Sequence, residues 1–230
     1  MNNVTPQVHA LLTNPWFAAL APEVRAHMVE HAETVRLRRG EMLFRQGDAP
    51  TGLYALVDGT LKMSTLREDG KEAILAVIEA GIWFGEISLI DSQPRTHDAT
   101  AVGNVEVLML PRPVFDTLME RADFARAIAA LLAGRIRLLY GIVEDATLRS
   151  TRARVARRLL MLARGDATMS PHMRPRVPVS QEGLAMMLGI TRQTLSKELR
   201  LLADGGVIEL GYGYIDVVSA DGLRRLIGAS

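Results

Sequence analysis

Residues 179–216 carry the pattern that most restricts the fold of this chain: two short helices joined by a glycine elbow and followed by a hairpin. Ser180 begins the first predicted helix and Gly189 ends it, since serine caps helix N-termini and glycine accepts the left-handed conformation of a tight turn. Thr191 begins a second predicted helix, 191–203. The pattern predicts a helix-turn-helix whose second helix has the size to enter a DNA major groove.

The second helix divides into an apolar face, with Leu195, Leu199 and Leu202 at helical spacing, and a polar face. We expect the polar face and the helix starts to contact DNA. The predicted DNA-binding residues are Ser180, Gln181, Thr191, Arg192, Gln193, Thr194, Ser196, Lys197 and Arg200. Arginine suits guanine and glutamine suits adenine in the major groove, so Arg192 and Gln193 are predicted to read bases.

Residues 207–217 predict a wing, two short strands around a glycine turn.

Residues 146–230 contain 13 Lys and Arg against 7 Asp and Glu, a net charge of +6, whereas residues 1–145 contain 14 against 19, a net charge of −5. A basic module of this kind is typical of proteins that bind the phosphate backbone. The alternative is an ordinary amphipathic helix pair with solvated charge, and the wing and the charge distribution favour DNA binding.

The composition indicates two packed domains. A chain of 230 residues that is 48% hydrophobic can bury a core in each half. No apolar run approaches the ~18 residues of a membrane span, and the N-terminus lacks a signal-peptide pattern, so a cytoplasmic protein without a membrane partner is expected. The chain has no cysteine, which excludes disulfides, iron–sulfur clusters and thiolate-bound zinc.

The first 120 residues predict an all-β sandwich or roll. Helical stretches at about 6–20 and 22–33 precede short runs of Val, Leu, Ile and Tyr that are separated by glycines. Strands are predicted at 53–57, 61–66, 73–78 and 105–110.

A second constellation lies within this roll, at residues 83–96. Gly85 allows a ligand to approach the backbone, and the residues after it predict a one-turn helix with free N–H groups. Arg95 offers paired donors to a phosphate, and Thr96 adds a hydroxyl. Glu86 fits such a pocket if it accepts a hydrogen bond from a sugar hydroxyl or neutralises an arginine. A cyclic nucleotide has these groups; the alternative is a glycine turn with Glu86 salt-bridged to Arg95 or another arginine, without a ligand.

A long helix is predicted after the roll, with an apolar seam that is suited to pairing with a second copy of the chain. The seam residues are Phe124, Ile128, Leu131, Leu138 and Ile142, interrupted by Arg135. The alternative is an ordinary helix packed on its own roll, and a two-fold-symmetric DNA reader favours the dimer. The predicted domains are a sensor at 1–122, a dimerisation helix at 123–145 and a DNA-binding domain at 146–230, with a hinge at 145–151 and a loop at 165–178.

The chain resembles the Crp/Fnr (catabolite gene activator) family of bacterial regulators over essentially its whole length. The resemblance is carried by residues 40–48 (GEMLFRQGD), by 84–86 (FGE) with 94–96 (PRT), and by 190–197 (ITRQTLSK). It implies an α+β protein with an N-terminal β-roll (jelly-roll, cyclic-nucleotide-binding-like) sensor domain, a long dimerisation helix and a C-terminal winged helix-turn-helix. A homodimer, palindromic promoter DNA and RNA polymerase are the implied partners, and cyclic AMP or cyclic GMP is the implied effector.

The resemblance also implies residue roles, with Gly85, Glu86, Arg95 and Thr96 on the cyclic phosphate and ribose and Arg135 beside the phosphate. The predicted effector-binding residues are Gly85, Glu86, Ile87, Ser88, Arg95, Thr96, Arg135, Leu139 and Tyr140. Two departures concern specificity. Cyclic-AMP-responsive members place small hydroxyl residues where this chain has Leu139 and Tyr140, and Gln193 and Lys197 replace the glutamate and arginine of the catabolite activator's reader helix.

The predicted function is a dimeric, sequence-specific transcription regulator, not an enzyme, controlled by a small effector in the roll. One alternative is the same regulator with a non-nucleotide effector or none. A second is a cupin-like metalloenzyme, which needs several histidines around a metal, whereas His97 is the roll's only histidine. No metal site or haem is expected; His27 and His31 share a helix face and are interpreted as surface residues.

Overall fold

The computed structural model describes residues 11–66, 72–164 and 175–228, which form two compact units. The first unit contains the described residues up to Leu66 and from Leu75 to Ile136. The second unit contains residues 72–74 and the described residues from Arg137 onward.

Two four-stranded sheets dominate the N-terminal half, and every strand pair of known register in them is antiparallel. The strands are β1 (Glu33–Leu37), β2 (Met42–Phe44), β3 (Gly52–Asp58), β4 (Thr60–Leu66), β5 (Glu72–Glu79), β6 (Trp83–Phe84), β7 (Asp98–Ala101) and β8 (Val105–Pro111). Their orders are β1-β8-β3-β6 and β2-β7-β4-β5. The predicted roll and its four predicted strands are confirmed.

The sequence of β3 is a continuous apolar run because both faces of the strand are buried. Leu53, Ala55 and Val57 belong to a core that the helices of the first unit share. Tyr54 and Leu56, which alternate with them, belong to a second core made of residues from both sheets. A strand that is buried on both faces loses the alternation of a half-exposed strand.

Five helices with described bounds accompany the sheets: α1 (Pro15–Ala18), α2 (Pro22–Glu30), α3 (Glu86–Asp91), α4 (Arg112–Met119) and α5 (Ala122–Leu148). The predicted helix at 6–20 is interrupted, because the Asn14 side chain accepts hydrogen bonds from the N–H groups of Trp16 and Phe17 and starts a new helix. Residues 6–10 of that prediction lie outside the described residues. Phe17 is buried and stacks on Trp83, with ring centroids 5.0 Å apart.

Helix α5 confirms the predicted long helix, but part of its predicted seam is wrong. Phe124 and Ile128 are buried in the first unit's own core, where Phe124 meets Phe115 edge-on. They are therefore unavailable to a second copy of the chain. The spacing of apolar residues alone did not reveal which of them the roll covers. Exposed apolar side chains occur further along the helix, at Ile136, Leu139, Tyr140, Ile142, Val143 and Leu148.

The second unit contains a helix-turn-helix with a three-stranded sheet. Its elements are α6 (Thr151–Ala163), β9 (Arg176–Val177), α7 (Gln181–Leu188), α8 (Arg192–Asp204), β10 (Ile208–Leu210), β11 (Ile215–Val217) and α9 (Ala220–Gly228). The sheet order is β10-β11-β9. Leu195, Leu199 and Leu202 are buried as predicted, each contributing about 1.5–3 kcal/mol of burial.

Strand β9 corrects the loop predicted at 165–178. Arg176 and Val177 pair with Asp216 and Ile215 of the wing. Two residues are too few to show a strand period in the sequence. Residues 165–174 of the predicted loop lie outside the described residues.

The predicted hinge contains a junction of ion pairs. Asp145 is buried, accepts a hydrogen bond from Nε of Arg149 at 2.7 Å and forms an ion pair with Nε of Arg157 at 2.9 Å. Arg149 also donates to the carbonyl oxygen of Ile227 in α9. A side chain at Gly141 would place its Cβ 2.8 Å from Arg157, so glycine leaves room for that guanidinium. The end of α5 is therefore fastened to α6 and α9.

We expect Asp145→Asn to lower the free energy of unfolding by about 1–3 kcal/mol, since the change keeps the shape and removes the charge that compensates two guanidinium groups. Urea denaturation of the full chain measures this loss. Asp204→Asn, at an exposed site, is the matched control. Equal stability of the two variants would show that the junction does not stabilise the fold.

Candidate effector pocket and nucleic-acid interface

Gly85 occupies a position that only glycine fills without strain. It lies between β6 and α3 with φ of +92°, in the left-handed region. A Cβ there would lie 2.9 Å from Nη1 of Arg95 and 3.1 Å from the ring of Tyr54. The predicted short helix is confirmed as α3, so the backbone of this segment agrees with the sequence interpretation.

Glu86 is a fully buried carboxylate that is paired with Arg135 of α5. Its Oε1 accepts a hydrogen bond from Nη1 of Arg135, and Nη2 of Arg135 donates to the carbonyl oxygen of Trp83 at 2.6 Å. The structure therefore brings Glu86 and Arg135 together. Of the arginines considered for Glu86, its partner is Arg135 and not Arg95.

Arg95 differs from the prediction of an open pair of phosphate donors. Its Nη1 donates to the carbonyl oxygen of Gly85 at 2.7 Å and its Nη2 to that of Gly52 at 2.8 Å. The guanidinium carbon lies 4.6 Å from the ring centre of Phe44 and 5.2 Å from that of Tyr54. Arg95 is only 3% exposed, and this burial lowers the pKa of its guanidinium. Carbonyl oxygens and ring faces thus stabilise the buried charge.

Four buried polar atoms around this segment have no hydrogen-bond partner in the structure. They are Trp83 Nε1, Glu86 Oε2, Arg95 Nε and Arg135 Nε. A buried polar atom without a partner costs about 1–3 kcal/mol, so a concentration of them points to a ligand. The Trp83 ring lies in the core around Phe17. The other three atoms are one acceptor and two donors, a combination that fits a molecule with both a hydroxyl group and anionic oxygens.

The remaining predicted effector residues have mixed surroundings. Ser88 is buried and donates from Oγ to the carbonyl oxygen of Pro94, while Ile87 and Thr96 are exposed. The Thr96 hydroxyl lies 2.7 Å from Nδ1 of His97. Leu139 and Tyr140 belong to the second unit, and both are exposed there.

His97 is half-buried beside Arg95 and is the described histidine that lies in the roll. Burial and then the charges of Arg95 and Arg135 lower the pKa of His97, which favours a neutral imidazole. The His27 and His31 rings lie with centroids 4.1 Å apart and are tilted by 37° to each other. Within residues 11–66, 72–164 and 175–228, no three His, Asp or Glu side chains are close enough to hold a metal ion.

The helix-turn-helix forms through the predicted caps. Ser180 Oγ accepts a hydrogen bond from the N–H of Gly183 at 3.0 Å, and Thr191 Oγ1 accepts from the N–H of Thr194 at 3.1 Å. Gly189 has φ of +63°, the left-handed conformation expected of the elbow. Thr191 and Thr194 also share a hydroxyl contact of 2.9 Å.

The polar face of α8 forms a shallow concavity of about 540 Å³. It is lined by Arg192, Gln193, Ser196, Lys197, Arg200 and Leu201. Among the residues that the structure describes, no carboxylate forms an ion pair with Arg192, Lys197 or Arg200. These cations are therefore available to an external anion. Gln181 lies half-buried at the start of α7.

The arginines of α6 are held by groups within the second unit instead. Arg152 pairs with Glu198 at 2.9 Å, Arg154 donates to the carbonyl oxygen of Leu188 at 2.6 Å, and Arg158 contacts the Met187 sulfur. Much of the positive charge of this half is thus bound by groups of the protein itself, whereas Arg192, Lys197 and Arg200 of α8 form no ion pair with a described carboxylate.

Arg176 of β9, the strand that pairs with the wing, is a further residue that the sequence analysis missed. It pairs with both carboxylate oxygens of Asp216, at 2.9 and 2.8 Å, and its guanidinium carbon lies 4.0 Å from the ring centre of Tyr214. The hydrogen bonds raise the pKa of Arg176 and lower that of Asp216. In the sequence, the acidic Asp216 and the aromatic Tyr214 were the residues that could have indicated a partner for Arg176.

Comparison with known proteins identifies the family. Residues 34–122 match the cyclic nucleotide-binding domain, and residues 153–226 match the Crp-like helix-turn-helix domain. The chain is 33% identical to the cyclic AMP receptor protein of Thermus thermophilus, over 93% of this chain and 96% of that protein. The chain belongs to the Crp/Fnr family.

A second relative and a solved structure are also similar to this chain. The chain is 28% identical to the CRP-like cAMP-activated global transcriptional regulator of Mycobacterium tuberculosis, over 91% of this chain and 94% of that protein. It shares its fold with FixK2 from Bradyrhizobium japonicum, with a TM-score of 0.74, 22% identity, and coverage of 85% and 96% of the two chains.

Membership of the Crp/Fnr family fixes the class of function. The protein is a DNA-binding transcription regulator with an effector-binding domain, in a family of regulators rather than enzymes, and dimerisation is typical of that family. None of the described helices has both the length and the apolar character needed to span a membrane.

Proposed function

We propose that this regulator is a homodimer that binds a cyclic nucleotide in its β-roll and reads palindromic promoter DNA with α8. Residues 1–122 sense the effector, 123–145 form the dimerisation helix and 146–230 bind DNA. RNA polymerase is the further partner, and the bacterial cytoplasm, where that DNA lies, is the location. The observation that carries the proposal is the orphaned Oε2 of the buried Glu86 beside orphaned donors of Arg95 and Arg135.

The unpartnered atoms match the chemistry of a cyclic nucleotide. A ribose hydroxyl donates to Oε2 of Glu86, whose other oxygen already has its cation in Arg135. The cyclic phosphate accepts from Nε of Arg95. Cyclic AMP is the first nucleotide to test, because the names of the Thermus and Mycobacterium relatives both specify it.

A regulator whose roll holds no nucleotide is the second candidate. The two Nη atoms of Arg95 already donate to carbonyl oxygens, and the guanidinium lies against two aromatic rings. Leu139 and Tyr140 also lack the small hydroxyl groups that meet adenine in the cyclic-AMP-responsive members. These features favour a roll in which protein groups already satisfy Arg95 and no nucleotide is bound, or a roll that binds a different effector.

We expect cyclic AMP to bind the wild-type protein, and Glu86→Gln and Arg95→Lys each to weaken that binding by about 10–100-fold. Glu86→Gln replaces a charged acceptor by a neutral amide, and Arg95→Lys removes the Nε donor; a hydrogen bond to a charged group is worth about 1.5–3 kcal/mol. Calorimetric titration with cyclic AMP and cyclic GMP measures the affinities. Glu120→Gln and Arg126→Lys, at exposed positions, are the matched controls.

Thermal melting separates loss of the ligand from loss of the fold, since both variants alter buried contacts. Normal affinity in a folded Glu86→Gln protein contradicts the assignment of Glu86 to the ribose. Absence of binding by the wild-type protein to both nucleotides supports the second candidate.

We assign the dimer contact to the exposed apolar face late in α5. Leu139, Ile142 and Val143 are spaced so that they share one side of the helix, with Tyr140 at its edge. Val143 is 60% exposed and Tyr140 is 71% exposed. Such large apolar side chains on a helix surface are typical of a partner interface.

We expect Val143→Asp to give monomers that lose affinity for DNA, because it buries a charge in the apolar interface of the dimer. Light scattering and DNA titration measure the two effects. Arg137→Asp, an exposed position on another side of the helix, is the control and should remain dimeric. A dimeric Val143→Asp protein would assign the contact to another surface.

Sequence reading is assigned to the N-terminal end of α8. Arg192, Gln193 and Lys197 are exposed there, and Ser196 lies between them on the same face. The first turn of a recognition helix reaches the base edges, while cations further along it meet phosphates. Gln193 therefore favours adenine at its position, and Arg200 contacts the backbone.

We expect Gln193→Ala to relax base discrimination at one position of each half-site by about 1–3 kcal/mol. Binding-site selection from randomised duplexes measures this. Arg200→Ala is the contrasting variant, and it should weaken all sequences alike and reduce the salt slope by about one. A half-site that is unchanged at every position would exclude Gln193 from base reading.

A further inference from the structure

A histidine competes for the single hydroxyl proton of the predicted effector residue Thr96. Thr96 is exposed, and its Oγ1 lies 2.7 Å from Nδ1 of the half-buried His97, within hydrogen-bond distance. The direction of this bond depends on which imidazole nitrogens carry protons. A hydroxyl that donates to an imidazole nitrogen has its proton directed away from any ligand. The protonation of His97 therefore affects how Thr96 can meet an anion.

His97 lies beside the aromatic and cationic groups of the candidate effector pocket. The ring centre of Phe44 is 6.1 Å from that of His97 and 4.6 Å from the guanidinium carbon of Arg95, so one ring adjoins both side chains. Arg95 and Arg135 each have a buried Nε without a hydrogen-bond partner, and both act electrostatically on His97. An anion that accepts from Nε of Arg95 thus binds within electrostatic range of this imidazole.

Cations outweigh anions among the charged groups around His97. Arg95 precedes it in the segment before β7, Arg135 acts on it from α5, and Asp98 begins β7. Glu86 of α3 is paired with Arg135. Burial is the main cause that lowers the pKa of His97, the two arginines lower it further, and Asp98 opposes them. Without an anionic ligand, His97 is therefore mainly neutral at neutral pH.

We propose that His97 is a further effector-binding residue, which takes up a proton from solvent when a cyclic phosphate binds and donates from Nδ1 to Oγ1 of Thr96. The hydroxyl of Thr96 then donates its own proton to a phosphate oxygen. The phosphate also compensates the cationic charges that disfavour an imidazolium. This proposal rests on the proposed binding of a cyclic nucleotide, and it makes that binding depend on pH.

The pH dependence has a defined direction. An anionic ligand raises the pKa of His97, so the ligand binds more tightly when His97 is protonated. The gain in affinity is fully present below the pKa of the free protein and is lost as the pH rises through that of the complex. A cyclic phosphate diester keeps one negative charge throughout this range and adds no titration of its own.

Calorimetric titration of the full chain with cyclic AMP, at about pH 5.5 and about pH 8, tests the proposal. We expect the wild-type protein to bind about 5–10-fold more tightly at the lower pH. Proton uptake should appear as a difference in binding heat between buffers of unequal ionisation enthalpy. His97→Asn keeps an N–H donor but does not titrate, so its affinity should be equal at both pH values.

Thr96→Val tests the hydroxyl separately. It should bind like wild type at the higher pH and about 5–10-fold more weakly than wild type at the lower pH, because the hydroxyl serves the phosphate only when His97 is charged. His31→Asn, at an exposed position after α2, is the matched control and should keep the pH dependence of wild type.

Wild-type pH dependence in the His97→Asn protein overturns the proposal, since another group would then titrate. An equal loss of affinity at both pH values in Thr96→Val overturns the exchange between Thr96 and His97. Wild-type binding that is independent of pH, or that takes up no proton, overturns the role of His97 while nucleotide binding stands. Absence of wild-type binding at both pH values overturns the proposed nucleotide itself, and the role of His97 with it.

Discussion

The buried ion pair between Glu86 and Arg135 is the interaction on which the candidate effector site depends. A carboxylate without solvent exposure is stable in ionised form only if its charge is compensated nearby. Arg135 provides that compensation and also binds the carbonyl oxygen of Trp83. One guanidinium thereby joins β6, α3 and the long helix α5. Because Arg135 binds Trp83 and Glu86, it also fixes the position of the backbone turn at Gly85 between them.

The arginines of this protein divide into those that the fold occupies and those that it leaves free. Arg95 and Arg135 are bound by carbonyl and carboxylate oxygens in the first unit, as are Arg149 and Arg157 in the second. Such arginines determine where backbone segments lie. Among the described residues, no carboxylate forms an ion pair with the exposed cations of α8. Net charge indicates that the C-terminal half of the chain is basic, and the distribution of acceptors favours the polar face of α8 as the surface that we propose binds DNA.

Local rules predicted the helix-turn-helix well, because its signals act over a few residues. Ser180, Gly189 and Thr191 each fix a cap or a turn through their own backbone geometry, and the structure has all three where the sequence indicates. The strands of the roll were predicted in the same way, from apolar runs between glycines. These features need no knowledge of distant contacts.

The interruption of the helix predicted at 6–20 is local, since the Asn14 cap acts on Trp16 and Phe17. The predictions for Arg95 and Phe124 failed because of contacts between residues that are distant in sequence. The direction of the Arg95 side chain is decided by the carbonyl oxygen of Gly52 and the ring of Phe44, which only the folded roll brings to it. Phe124 has the spacing of a dimer seam, yet its own core covers it. The same spacing can serve an internal core or a partner, and only tertiary packing distinguishes the two.

The surroundings of Arg95 also set a condition on any anionic effector. A ligand that drew both Nη atoms outward would leave the carbonyl oxygens of Gly52 and Gly85 without donors and would remove the guanidinium from the aromatic rings. Each lost hydrogen bond to the charged group costs about 1.5–3 kcal/mol, which would offset much of the gain from a phosphate. A ligand that accepts from Nε alone avoids this loss, because that atom has no other partner. The retained contacts then keep the turn at Gly85 in place, so that Glu86 stays aligned with both the ligand and Arg135.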